Sequence, residues 1–149
     1  MNYQVSRMKD NEWYAFLDDD NILLDDKFTY EIPEYEKEGK LITNPIIVPR
    51  LGKSKISYVM DWIRNLDDKS IFRFFTGVVG KPYMGLHGEL LCARGDVFKD
   101  VGFDQNSTTE DFSFALRATK KGYRTWQSRT EVSIQSPNSV DDFMKQRSR

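Results

Sequence analysis

Cysteine is almost missing from this chain: Cys92 stands alone among 149 residues. One thiol excludes an internal disulfide framework and fits a reducing compartment. Within Leu90-Leu91-Cys92-Ala93 it reads as a small core residue rather than a nucleophile. Histidine is as scarce, with His87 the only one, which counts against a phosphate hydrolase built on several histidine ligands. Neither sign of charge is in excess. Lys and Arg number 22 against 23 Asp and Glu, a net charge of −1, so nonspecific nucleic-acid binding has no electrostatic footprint. No run approaches the roughly 18 apolar residues of a membrane span, and no signal-peptide pattern opens the chain. Repeats and low-complexity linkers are absent too. What remains is 39% hydrophobic and 13% aromatic, the composition of a globular domain long enough to hold its own core.

The most informative stretch is Trp13-Tyr14-Ala15-Phe16-Leu17 running into Asp18-Asp19-Asp20-Asn21. The first five residues are short, apolar and aromatic, which predicts a buried strand. Ligands of open α/β folds bind beyond the carboxyl ends of strands, and clustered carboxylates suit a hard divalent cation. Alternation along an extended segment would send Asp18 and Asp20 to one side and Asp19 away. A polar turn is the plain alternative, because Asp and Asn are ordinary turn residues.

A second acidic site follows at Ser107-Thr108-Thr109-Glu110-Asp111. Ser107 with Glu110, or Thr108 with Asp111, has the spacing of a helix capping box. The helix should run through Phe114 and Ala118 to Lys120-Lys121, and Gly122 can close it in the left-handed conformation. Asp111 then stands in the first turn, facing whatever lies in front of the helix. Complementing the helix dipole would by itself account for an acid there. Ser139 and Asp142 make another capping pair, opening a helix that carries Phe143, Gln146, Arg147 and Arg149.

Taken in order, these segments resemble the family 2 glycosyltransferases, in particular the processive, β-mannosyltransferase and glucosyltransferase-like membrane enzymes. Leu17-Asp18-Asp19-Asp20 is similar to the DxD metal motif, Thr109-Glu110-Asp111 to the TED motif, and Gln146-Arg147-Ser148-Arg149 to QxxRW without its tryptophan. Gly88-Glu89-Leu90-Leu91-Cys92-Ala93-Arg94, Val101-Gly102-Phe103-Asp104, Gly122-Tyr123 and Ser136-Pro137 match the intervening stretches. The resemblance implies an α/β fold of the GT-A nucleotide-diphospho-sugar type, a mixed sheet flanked by helices. Nothing before Trp13 resembles the family's nucleotide-binding βαβ half. Residues 1–149 are therefore expected to form a single domain, the C-terminal portion of a catalytic domain.

The activity implied is metal-dependent, inverting transfer of a hexosyl group from a nucleotide-diphospho-sugar to a glycan or lipid-linked acceptor hydroxyl. Asp111 would be the base, with Thr109 and Glu110 acting on it through the helix cap and local field. Asp18 and Asp20 would hold Mg²⁺ or Mn²⁺, with His87 a candidate further ligand, although a lone histidine is more often structural. Gln146, Arg149 and Arg147 would serve the donor diphosphate alongside Asp18 and Asp20. The parent enzyme would work in the cytoplasm at the inner face of a membrane, held there by segments outside this chain. The alternative is a truncated, non-catalytic GT-A-like fragment acting as an assembly or regulatory module. Exposed strand edges left by a missing half would favour self-association.

Elsewhere, Tyr30 to Lys40 is acidic and surface-like, interrupted by Pro33 and Gly39. Leu41 to Pro49 is β-branched, yet its prolines predict an edge strand or extended connection. Ile56, Val59, Met60, Ile63 and Leu66 have helical spacing behind a Ser54 cap, and such a stripe predicts a core-facing helix. Ile71-Phe72-Arg73-Phe74-Phe75 continues it ambiguously, with an amphipathic segment near a membrane as one reading. Trp126 and Tyr83 could stack on a sugar, although buried aromatics are commoner.

Overall fold

The computed structural model describes residues 5–80, 86, 88–104 and 109–147. Among them a mixed five-stranded sheet is flanked by helices, as the α/β expectation required. Strand β1 (Trp13–Leu17) pairs antiparallel with β4 (Leu90–Arg94), Ala15 opposite Cys92. Beyond β4 come β3 (Lys40–Arg50), β5 (Arg124–Gln135) and the two-residue β2 (Ile22–Leu23), in the order β1-β4-β3-β5-β2. Only β3 and β5 run parallel.

Alternation along β1 splits its side chains between two layers. Tyr14 and Phe16 pack on the core beneath α3 (Gly95–Val101) and α4 (Glu110–Lys120). Phe16 meets Phe98 edge-on at 5.1 Å, and Phe103 stacks on both Phe98 and Phe114. Trp13 instead faces α1 (Lys27–Lys37), its ring 6.4 Å from that of Tyr35. β1 is an edge strand with Ala15 and Leu17 exposed, not the buried strand its composition suggested. Its aromatic residues cover the two layers from the side. Cys92 is a core residue, and burial pushes its thiol up to about 12, which leaves negligible thiolate at neutral pH.

Two expectations about proline fail for one reason. The acidic, surface-like stretch from Tyr30 is not interrupted at Pro33; α1 runs through that residue, which sits on the exposed side above an exposed Thr29. A helix loses one hydrogen bond at such a proline, and here water can reach the carbonyl left over. The stretch around Pro45 is no edge either, since β3 lies between β4 and β5 and is buried along most of its length. Pro45 falls where the β3–β5 register slips, between the pairs Asn44–Gln127 and Ile46–Glu131. β4 pairs with β3 only at Ile42 and Thr43, so no ladder needs the N–H that Pro45 lacks.

The bulge in β5 opposite Pro45 is held by a buried carboxylate from α1. Glu31 accepts hydrogen bonds from Ser128 Oγ (2.6 Å), from Arg129 Nε (2.8 Å) and from the Tyr35 hydroxyl. Ser128 Oγ in turn accepts from the Thr130 N–H at 2.9 Å. These bonds satisfy backbone and hydroxyl groups that a bulge would otherwise bury unpaired.

Helix α2 (Lys55–Asp67) inverts its expected orientation. Ile56, Val59, Ile63 and Leu66 are 55 to 63% exposed, whereas Ser57, Asp61 and Asn65 are at most 2% exposed. The helix packs its polar face on β3 and turns the apolar stripe outward. Burying those four side chains would have gained roughly 1.5–3 kcal/mol each. Two π-helical stretches, Asp68–Phe72 and Phe74–Val79, continue from it with Ile71, Phe74, Val78 and Val79 also exposed.

Candidate active site

At one end of the sheet, six elements or the segments beside them surround a cleft of about 220 Å³. Asp18, Asp20 and Asn21 reach it from the turn after β1. Gly88 and Glu89 come from the connection into β4, and Asp111 from the first turn of α4. Asp61 and Arg64 come from the polar face of α2. The end of β5, Pro137 and Gln146 of α5 (Val140–Arg147) complete the wall. An adjoining cavity of about 200 Å³ shares Asp18, Gly88 and Asp111, and adds Glu110 with the apolar Phe16, Leu91 and Phe103.

The first acidic segment is a turn rather than a continued strand. β1 ends at Leu17, and the Asn21 N–H bonds back to the Asp18 carbonyl at 3.1 Å. The turn still sends Asp18 and Asp20 into the cleft, and Asp19 is not among the lining residues. Strand alternation is thus the wrong reason for that division; turn geometry makes it. Asn21 Nδ2 ties the turn to the Glu89 carbonyl at 3.1 Å, and Arg50 Nη2 donates to the Asp20 carbonyl at 3.3 Å.

Asp111 is fixed at the start of α4. Its Oδ2 accepts from the Gly88 N–H at 3.1 Å, and its Oδ1 from the Phe112 N–H at 2.7 Å. α4 carries Glu110 and Asp111 in its first turn and Arg117 and Lys120 in its last, the arrangement its dipole favours. Gly122 ends it at φ +83°, with Gly122 and Tyr123 N–H groups bonded to the Thr119 and Ala118 carbonyls, a Schellman closure. The N-cap is Thr109, later than either capping-box pair implied, and Ser107 and Thr108 lie outside the described residues. Thr109 does not line the cleft, and Glu110 lines only the adjoining cavity. In α5 the expected cap is present, Ser139 Oγ accepting from the Asp142 N–H at 3.0 Å.

The cleft concentrates negative charge. Five carboxylates (Asp18, Asp20, Asp61, Glu89 and Asp111) line it with one guanidinium, Arg64. Burial pushes the Asp18 carboxyl above the ordinary aspartate range, and the charges of Glu89, Asp20, Asp19 and Glu110 push it the same way. Among the described residues no three acidic, histidine or cysteine groups stand close enough to enclose a metal ion. Two carboxylates are nevertheless a sufficient protein contribution for Mg²⁺ or Mn²⁺ when substrate phosphates and water complete the shell. The donor set of Asp18 and Asp20 fits such an ion, whose charge would offset the burial and the neighbouring carboxylates that raise Asp18.

Several residues singled out by sequence are not placed here. His87, Tyr83 and Arg149 lie outside the described residues, as does the side chain of Arg147, whose backbone closes α5. Trp126 is away from the cleft, half-buried with its ring 6.2 Å from Tyr35 and the Lys40 ammonium 3.9 Å above it. Sequence reasoning misses Asp61 and Arg64, because the apolar stripe of α2 predicts that the stripe itself points to the core. Their signal was the equal spacing of Ser57, Asp61 and Asn65 on the other side of the same helix.

Residues 13–149 match the family described as glycosyl transferase family group 2. The chain belongs to that family. It is 25% identical to the beta-1,4-mannosyltransferase bre-3 of Caenorhabditis elegans, and equally to that of Caenorhabditis briggsae. It is 26% identical to the beta-1,4-mannosyltransferase egh of Drosophila melanogaster. Each comparison covers 97% of this chain and 33% of the relative. The chain therefore spans about a third of the length of the curated relatives it matches, which accords with a partial GT-A fold. No helix among the described residues is long and apolar enough to cross a membrane.

Proposed function

We propose that this glycosyltransferase-family chain supplies the acceptor-activating and metal-holding wall of an inverting hexosyltransferase active site. The donor is a nucleotide-diphospho-sugar and the acceptor a hydroxyl of a glycan or lipid-linked glycan. The printed names of the relatives make a β-1,4-mannosyl transfer the first to assay. The observation that carries this reading is the convergence of Asp18 and Asp20, from the turn after β1, and Asp111, from the start of α4, on one cleft.

Asp18 and Asp20 would hold Mg²⁺ or Mn²⁺, which when bound supplies Lewis-acid neutralisation of the charge developing on the diphosphate. Asp111 takes the proton of the acceptor hydroxyl as that oxygen forms its bond to the anomeric carbon. The bond from the anomeric carbon to the diphosphate breaks, and its electron pair leaves with the phosphate oxygen. One base and one displacement invert the configuration. The Gly88 N–H on Asp111 Oδ2 holds the carboxylate in place, leaving further lone pairs for the acceptor. Gln146 lines the same cleft, which supports a contact with the donor. The parent protein, on this reading, meets its acceptor at the inner face of a membrane.

The test uses the full-length protein. Asp111→Asn should lower turnover by about 10²–10⁴, the usual worth of a general base, with donor affinity nearly unchanged. Thr109→Ala and Glu110→Gln should cost less. Asp20→Asn should abolish the metal-dependent part of donor binding. Normal turnover by Asp111→Asn would remove the catalytic assignment.

A further inference from the structure

Arg64 is the single cation among the described residues lining a cleft that also holds five carboxylates. A diphosphate entering that cleft carries two negative charges of its own, so a metal ion alone leaves a large repulsive field. Its Nη2 meets Glu89 Oε1 at 3.4 Å, longer than the 2.7–2.9 Å of a strong charge-assisted bond. Arg64 also projects from the helix that gives up apolar burial to keep Asp61 and Asn65 inside. Asn65, 1% exposed and directly following Arg64, has neither Nδ2 nor Oδ1 hydrogen-bonded. A helix turned against its own amphipathicity, with polar groups buried beside a cleft, is positioned for that cleft's ligand.

We propose that Arg64 binds the donor diphosphate directly, exchanging its contact with Glu89 for the phosphate oxygens. This rests on the reading of the cleft as a nucleotide-diphospho-sugar site. A planar guanidinium can donate two parallel N–H bonds to a phosphate. As the bond to the anomeric carbon breaks, those donors meet the electron pair arriving on the leaving oxygen, while the acceptor proton passes to Asp111. Glu89 is then the partner of that charge before the donor arrives.

The experiment is calorimetric titration of inorganic pyrophosphate in the presence of Mn²⁺ into the 149-residue chain and its variants, each checked for folding by circular dichroism. Arg64→Gln should weaken binding roughly ten- to hundredfold, the range for hydrogen bonds to charged groups, and Arg64→Lys should fall between it and wild type. Glu89→Gln should bind more tightly than wild type. The decisive pair is Arg64→Gln made in the Glu89→Gln background. A direct ligand costs as much there as before, whereas a residue that merely neutralises Glu89 costs nothing once that charge is gone. Loss of the effect in that background, or wild-type affinity in Arg64→Gln while Asp20→Asn fails to bind, overturns the role of Arg64 and leaves the cleft assignment standing. Binding by wild type no stronger than by Asp20→Asn overturns the cleft assignment and this inference together.

Discussion

Replacing Glu31 by alanine should destabilise the chain far more than removal of a surface acid. The carboxylate is 4% exposed and accepts from Ser128 Oγ, the Tyr35 hydroxyl and Arg129 Nε. Arg129 keeps most of its side chain in water and simply rehydrates, so it adds little. Ser128 and Tyr35 are buried and cannot. Each orphaned buried hydroxyl costs about 1–3 kcal/mol, which puts the loss at about 2–6 kcal/mol. Glu31→Gln retains one carbonyl acceptor and should lose roughly half as much. Adding Tyr35→Phe to Glu31→Ala should cost nothing further on this account, because it removes one of the orphaned donors. Urea unfolding followed by tryptophan fluorescence reads these differences, since Trp13 and Trp126 flank Tyr35. A Glu31→Ala midpoint indistinguishable from wild type would refute the claim that this carboxylate holds the β5 bulge opposite Pro45.

In chelator-treated buffer, Asp18→Asn should stabilise the fold at neutral pH. The folded-state value of Asp18 is raised, by burial first and by neighbouring carboxylates second, so wild type loses stability as pH rises from the ordinary aspartate range through the raised one. The advantage of the asparagine variant should therefore vanish in acid, below the unfolded value; an advantage that persists there would contradict the sign. Asp19→Asn should leave Mn²⁺ affinity close to wild type while Asp20→Asn weakens it, because only Asp20 lines the cleft. Equal losses in isothermal titration would sink that distinction.

Much of the site was readable because chemistry there is local in sequence. A short aromatic strand running into three carboxylates, and a capped helix opening on Glu110 and Asp111, put acids at element ends where α/β folds bind ligands. Gly122 ended its helix where a left-handed glycine was expected. The failures came where tertiary packing overrides a local rule. Pro45 reads as an edge residue until β5 bulges opposite it. Pro33 reads as a helix breaker, yet it lies on the water side of α1, whose inner face is anchored by Glu31. The α2 stripe reads as core, but Asp61 and Arg64 line the cleft and the apolar face is turned out. Periodicity reveals that a helix has two faces; it does not reveal which face the site requires.

The central claim is that Asp18 and Asp20 hold a divalent cation in the cleft that Asp111 also lines. Paramagnetic broadening tests it without any knowledge of the sugar. Substoichiometric Mn²⁺, added with pyrophosphate to the isotope-labelled chain, should first bleach the amide resonances of Asp18, Asp20, Asn21, Gly88, Glu89 and Asp111, and should do so far less in Asp20→Asn. Broadening centred instead on the acidic surface of Glu34, Glu36 and Glu38, or unchanged by Asp20→Asn, would contradict it.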